Sequence, residues 1–244
     1  MGIIPSLLRT VLVALVGVAA TVVAAVAAIL GARSGPASPL LQRITRVWSG
    51  TWLAAAGVDL EVTGTENIDG RSSYVVVANH SSTLDIMACF RAIPLPIRFL
   101  AKKELFRIPL LSTAMRAIGI IEVDRQARVA IHEQINRRAQ ELVESGCSLI
   151  IFPEGTRSRD GTLGPFKKGA FTIALRSSLP ILPVAIEGTH RAWPPGARLV
   201  RGGRVRLAIE PPIESAGMGI KDGGELRDRA RDAIAKRLEH LAQS

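Results

Sequence analysis

The strongest pattern along the chain is an uncharged apolar run from Thr10 to Ala32, TVLVALVGVAATVVAAVAAILGA. As a helix it would be about 35 Å long, enough to cross a hydrocarbon core of about 30 Å. Three readings are open for it: a helix that spans or inserts into a membrane, a cleaved signal peptide with Arg9 as its basic flank, or a buried core helix. One basic side chain, Arg9, precedes the run, and Arg33, Arg43 and Arg46 follow it. That bias places the rest of the chain on the cytoplasmic side of a membrane. Ser34–Ser38 (SGPAS) reads as a break. Beyond it Leu40, Leu41, Ile44, Val47, Trp48, Trp52 and Leu53 recur near every 3.6 residues and predict a second helix over Leu40–Val58. Tryptophans beside Arg43 and Arg46 make an interfacial pattern, although a helix packed on the core would show the same residues.

From Asp59 onward short apolar runs alternate with amphipathic stretches. Strands are predicted at Leu60–Thr63, Tyr74–Ala78, Ile97–Ala101, Ile118–Val123, Ser148–Phe152, Ile181–Ile186 and Arg204–Ile209. Several are continuous apolar runs, as in strands covered on both faces. Helices are predicted at Ser82–Ala92, Glu104–Ala117, Ala127–Ser145, Lys168–Ser177 and Glu225–Leu241. The alternation argues an α/β fold, a central sheet of roughly seven strands flanked by helices. The expected organisation is an N-terminal membrane-anchoring helical segment, residues 1–57, followed by an α/β domain, residues 58–244.

Composition narrows the partners. The 244 residues carry a formal net charge of +10 and an isoelectric point near 10.7, so anionic partners are expected. A mean hydropathy of +0.26 favours a membrane over nucleic acid among them. Aromatic residues are 4% of the chain, too few for a base-stacking platform. The two cysteines, Cys89 and Cys147, form no C-x-x-C motif and read as buried free thiols.

Two polar clusters follow strongly apolar strands. Asn79-His80-Ser81-Ser82-Thr83-Leu84-Asp85 comes directly after YVVVA. Ser81 or Ser82 can cap the next helix, which brings the Asp85 carboxylate back toward His80. A carboxylate on one imidazole nitrogen fixes the tautomer and leaves the other nitrogen as a base. The same spacing also suits a plain N-cap with a passing histidine. Phe152-Pro153-Glu154-Gly155-Thr156-Arg157-Ser158 follows SLIIF. Arg157 offers a planar fork for phosphate or carboxylate, Gly155 permits close backbone approach, and Glu154 could orient Arg157 or a substrate hydroxyl. A polar turn with a surface ion pair is the other reading. Neither G-x-S-x-G nor a phosphate-binding Gly-rich motif is present. Arg191, Arg198, Arg201, Arg204 and Arg206 form the densest basic stretch, read either as a ligand-binding or as a solvated face.

His-x-x-x-x-Asp at one strand end and Phe-Pro-Glu-Gly-Thr-Arg at another resemble the glycerolipid acyltransferase family, 1-acyl-sn-glycerol-3-phosphate acyltransferase type. Two further blocks are similar. One runs from Ala101-Lys102-Lys103-Glu104-Leu105 to Gly119-Ile120-Ile121-Glu122-Val123-Asp124-Arg125. The other is Leu179-Pro180-Ile181-Leu182-Pro183-Val184-Ala185-Ile186. The resemblance covers roughly Val58 to Ile213, with Ser81 and Glu122 departing from the usual residues.

The resemblance implies acyl transfer without a covalent acyl-enzyme and without a metal or other cofactor. His80 would deprotonate the free hydroxyl of a lysophospholipid, and Asp85 would stabilise the imidazolium. Backbone N–H groups near Gly155 are candidates for the oxyanion. Lys102, Arg125, Glu154, Gly155, Thr156 and Arg157 would bind substrate. The implied partners are the lysophospholipid acceptor, acyl-CoA or acyl carrier protein as donor, and the bilayer, with no nucleic acid. The expected product is phosphatidic acid for phospholipid biosynthesis. An acceptor with another head group, or an acylated amino-acid lipid, is the alternative. A non-catalytic basic membrane-binding protein is the remote one.

Overall fold

The computed structural model describes residues 3–123 and 130–243. Eight α-helices and seven strands are present among them. In chain order they are α1 (Ile3–Gly31), α2 (Pro39–Ala55), β1 (Val58–Thr63), β2 (Val75–Ala78), α3 (Leu84–Ala92), β3 (Ile97–Lys102) and α4 (Pro109–Ala117). Then come β4 (Ile121–Val123), α5 (Ala130–Glu144), β5 (Ser148–Ile151), α6 (Gly169–Ser177), β6 (Ile181–Glu187), α7 (Thr189–Ala192), β7 (Gly203–Ile209) and α8 (Gly223–Gln243).

All seven strands join one sheet in the order β1-β7-β6-β2-β5-β3-β4. Every pairing is parallel except β6 with β7. Strands β2 to β6 therefore end at one common edge. The period of two sorts the central strand's side chains. Val76 and Ala78 face a core shared with Leu53, Leu84 and Phe90 from α2 and α3. Val75 and Val77 face Phe171, Leu226 and Ile234 from α6 and α8. With helices on both faces, β2 and β6 are buried along their whole length, which explains the apolar runs Val75–Ala78 and Ile181–Ile186.

Several predicted elements are shorter than expected; the second helix, for one, ends at Ala55 and Val58 already belongs to β1. The helix expected at Glu104–Ala117 is split, because Pro109 lacks an N–H and fits only the first turn of α4. Lys103–Arg107 forms a 3-10 turn instead. The strand expected from Ile118 begins at Ile121, since Gly119 turns the chain with φ +88°.

The N-terminal pair is built into the same core. Val13 of α1 and Leu53 and Ala55 of α2 are buried with the sheet residues, so packing is continuous across the expected boundary at residue 57. The buried row of α2 is Leu41, Thr45, Ser49 and Leu53, spaced by four, while Leu40 and Val47 of the expected stripe are 51% and 63% exposed. Trp48 sets its edge against Phe90, with ring centroids 6.0 Å apart. The indole N–H groups of Trp48 and Trp52 both donate to Thr21 Oγ1, at 3.0 and 3.2 Å. A Cβ at Gly17 would lie 2.6 Å from the Trp52 ring. The tryptophans thus bind α1 to α2, the packing role that was the other reading of their sequence pattern.

Helix α1 is long and apolar enough to cross a membrane. It buries Val13, Ala25 and Ala28 but leaves Ile4, Leu8, Leu15, Val23 and Leu30 exposed by 68–79%. A bare apolar face on this scale does not fit a soluble core helix. The opposite side is tied down: Arg9 donates to the Arg201 carbonyl, and Thr10 Oγ1 accepts from Val200 N at 2.9 Å. Under the α1–α2 turn lies Arg98 of β3, completely buried. Its guanidinium donates to the carbonyls of Pro36 and Ile97, and its Nε has no partner among the described residues.

Candidate active site

The loops at the common ends of β2, β5 and β6 converge. Asn79, just past β2, exchanges two 2.8 Å hydrogen bonds with the Ile186 backbone of β6, so the loop leaves the sheet at a fixed angle. The chain then turns into α3 with Ser82 Oγ accepting from Leu84 N at 3.2 Å and donating to the Trp193 carbonyl at 2.7 Å. Neither serine is the N-cap that the sequence suggested: Thr83 holds that position without a side-chain cap bond, and Ser82 Oγ makes a local turn bond to Leu84 N instead.

This turn folds Asp85 back onto His80. Asp85 Oδ2 lies 2.8 Å from His80 Nδ1 and accepts the backbone N–H groups of Ser81 and Ser82 at 2.7 and 2.8 Å. Asp85 Oδ1 accepts from Thr189 Oγ1 at 2.5 Å. The carboxylate is completely buried and the His80 side chain is 11% exposed. An acceptor-only carboxylate surrounded by donors assigns the Nδ1–H tautomer to His80, which leaves Nε2 with a free lone pair. The Phe152 ring lies parallel to the imidazole, centroid to centroid 4.0 Å and 15° apart.

Glu154 has a different task from the one its sequence position suggested. It is buried, and neither oxygen meets Arg157. Oε1 accepts His80 N at 2.8 Å and Oε2 accepts Gly164 N at 3.0 Å. Ser158 N donates to the His80 carbonyl at 2.8 Å, so the loop after β5 grips the His80 backbone from both sides. Burial raises the Glu154 carboxyl above its usual range, against the lowering effect of the two N–H groups.

Arg157 is exposed and donates to Thr83 Oγ1 at 2.7 Å, which fixes the guanidinium above the start of α3. Thr156 beside it is exposed. Gly155 adopts φ +71°, and a Cβ there would lie 2.6 Å from Lys167 Nζ. Lys167 therefore lies across this loop, a cation the sequence reading did not single out. The Gly155 N–H donates to the Phe152 carbonyl at 3.1 Å, so this amide is engaged within the turn. Lys102 is exposed at the end of β3, two strands from β2 on the same edge. Arg125 lies outside the described residues. In the basic stretch, Arg204 and Arg206 pair with Glu61, and Arg191 pairs with Glu187, while Arg198 and Arg201 are exposed.

Comparison with known proteins fits this geometry. The sequence pattern of the Acyltransferase family matches residues 59–187, the span that holds both clusters and the strands that carry them. The chain belongs to the acyltransferase family. It is 33% identical over 191 residues to the 1-acyl-sn-glycerol-3-phosphate acyltransferase of Borreliella burgdorferi, covering 78% of this chain and 75% of that protein. It is 36% identical over 182 residues to a chloroplastic acyltransferase of the same name from Brassica napus, covering 73% of this chain. The chain spans about half the length of such plant relatives, 50% for the Brassica napus protein and 56% for one from Limnanthes douglasii. The crystal structure of the 1-acyl-sn-glycerophosphate acyltransferase PlsC from Thermotoga maritima superposes with a TM-score of 0.86 at 28% identity. It covers 99% of this chain and 98% of that one. The likeness to this acyltransferase extends to the N-terminal helices.

The sequence reading missed Thr189. The signal available was a Gly-Thr pair directly after a fully buried strand, the same strand-end position that drew attention to His80 and Glu154.

Proposed function

We propose that this acyltransferase moves an acyl chain from a thioester to the free hydroxyl of 1-acyl-glycerol-3-phosphate, giving phosphatidic acid, with His80 as general base. The observation that carries the reading is the 2.8 Å contact between His80 Nδ1 and a fully buried Asp85, with Nε2 left to accept a proton. His80 Nε2 takes the acceptor's hydroxyl proton as the oxygen attacks the thioester carbonyl. Asp85 stabilises the resulting imidazolium. Collapse of the tetrahedral intermediate breaks the C–S bond, and the imidazolium returns the proton to the departing thiolate. Phe152, stacked on the ring, keeps the imidazole plane constant through both proton transfers.

Arg157 and Lys167 border the loop after β5 and supply positive charge for the acceptor phosphate, with Lys102 further along the edge. The donor is acyl-CoA or acyl carrier protein, whose thioesters present the same reacting group. The protein works at a membrane through the bare face of α1, with residues 58–244 as the catalytic part on the cytoplasmic side. An acceptor that never leaves the bilayer then meets a site held at headgroup level.

The test is an acceptor screen. Purified protein, one long-chain acyl-CoA and a panel of lysolipids differing in head group are assayed by free-thiol release. Turnover with lysophosphatidate, lost in His80→Ala, is expected. Preference for a lysolipid with a larger head group would reassign the acceptor, and full turnover by folded His80→Ala would overturn the general-base role.

A further inference from the structure

The two oxygens of Asp85 are held differently. Oδ2 takes His80 Nδ1 and two backbone N–H groups, all from the loop between β2 and α3. Oδ1 takes the Thr189 hydroxyl, which arrives from the end of β6, 104 residues away. Torsion about the last bond of an aspartate is soft, with broad minima. A bond at each oxygen is what fixes the carboxylate plane, and that plane sets the direction of the bond to His80.

Thr189 suits such a task. It is completely buried, and its β-branched side chain has few rotamers. Its backbone is locked by Gly188, where φ is +92° and a Cβ would come within 2.3 Å of the Arg204 carbonyl oxygen. Ser81 Oγ lies 3.0 Å from Thr189 Oγ1. Since the carboxylate only accepts, the Thr189 proton goes to Asp85, and the Ser81 hydroxyl in turn donates to Thr189. Two donors thus converge on Asp85: the His80 Nδ1–H on one oxygen and, on the other, the Thr189 hydroxyl, which is itself polarised by the hydrogen bond it accepts from Ser81.

We infer that Thr189 is a positioning residue for the His80–Asp85 pair, acting through its hydroxyl, with Ser81 as its own donor. This rests on the general-base reading of His80. Thr189→Val removes the hydroxyl at nearly constant volume, and Thr189→Ser keeps it. In the acyl-CoA assay Thr189→Val should lower kcat about 10- to 100-fold, the equivalent of one hydrogen bond to a charged group, with the KM for lysophosphatidate unchanged. Thr189→Ser should stay within a few fold of wild type. The downfield proton resonance of His80 Nδ1–H, read in detergent micelles, should broaden or vanish in Thr189→Val and persist in Thr189→Ser. Ser81→Ala, a milder change, should reduce kcat in the same sense and add little in combination with Thr189→Val.

Wild-type kcat and an unchanged resonance in Thr189→Val would overturn the proposal, as would an equal loss in Thr189→Ser, which would make packing the cause. Should Thr189→Val not fold, an unchanged kcat and resonance in Ser81→Ala would overturn it. Full activity of His80→Ala would instead defeat the general-base reading itself, while the resonance still reports on the hydrogen-bond chain.

Discussion

Replacing Glu154 by Gln distinguishes a residue that holds the site from one that touches substrate. The carboxylate accepts two backbone N–H groups, from His80 at 2.8 Å and Gly164 at 3.0 Å. Glutamine has the same shape but one acceptor oxygen and one NH2 donor. In either orientation an NH2 group confronts a backbone N–H that has lost its partner. A charge-assisted bond contributes about 1.5–3 kcal/mol, and an orphaned buried N–H costs about 1–3 kcal/mol. Relief of the buried charge offsets part of this, leaving a net loss of about 2–4 kcal/mol. The residue displaced is His80, and misplacement of a catalytic group by about 1 Å can cost about 100-fold in rate.

Glu154→Gln should therefore lower kcat about 10- to 100-fold and lower the unfolding midpoint, with the KM for lysophosphatidate within about twofold of wild type. The pH dependence has a definite sign. Burial raises the folded-state carboxyl value above the unfolded one. The group then contributes most to stability below the unfolded value, and that contribution declines as pH rises through the folded value. Glutamine does not titrate, so the stability gap between wild type and Glu154→Gln should narrow over that rise. A normal kcat with a KM raised tenfold or more would refute the reasoning and return Glu154 to the substrate.

His80→Ala should reduce kcat by at least about 100-fold with circular dichroism unchanged, Asp85→Asn nearly as much, and the double variant little further, because the pair acts as a unit. Arg157→Lys keeps the charge but not the planar fork, so the KM for lysophosphatidate should rise more than that for the donor; the reverse result would assign Arg157 to the donor. Arg98→Ala should cost about 3 kcal/mol by removing a buried side chain and the tie to Pro36, whereas Arg98→Met, which refills the space, should cost less; equal chemical-denaturation midpoints for wild type and Arg98→Ala would show that the tie contributes nothing.

The sheet was legible because its central strands are buried on both faces and therefore written as unbroken apolar runs such as Val75–Ala78 and Ile181–Ile186. The reversal of β7 was not, since its alternation of Arg204, Arg206 and apolar residues reads the same in either direction. At the site, the pairing of His80 with Asp85 followed from helix-start spacing, a local rule. The hold of Glu154 on the site was not legible because its partners, His80 N and Gly164 N, are backbone groups that no side-chain pattern announces. Thr189 was marked only by its strand-end position, for a related reason: it meets Asp85 because β6 lies beside β2. The packing of Trp48 and Trp52 on α1 was not legible because Gly17 and Thr21, which leave a slot and an acceptor for their indoles, lie one helix earlier.

The long separation between Asp85 and Thr189 also sets an order of events when the chain is made. Synthesis runs from the N-terminus, so α1 emerges with its apolar face before the seven strands described above. At about 5–20 residues per second, Thr189 follows roughly 10–30 s later. β1 must wait longer still, since it pairs with β7 and with no earlier strand. During that interval the ribosome carries a lipid-seeking helix and a histidine whose supporting carboxylate is only half held. Under the proposed function, the apolar face of α1 would meet the bilayer before the site is complete, and the last segments to arrive would finish the site there.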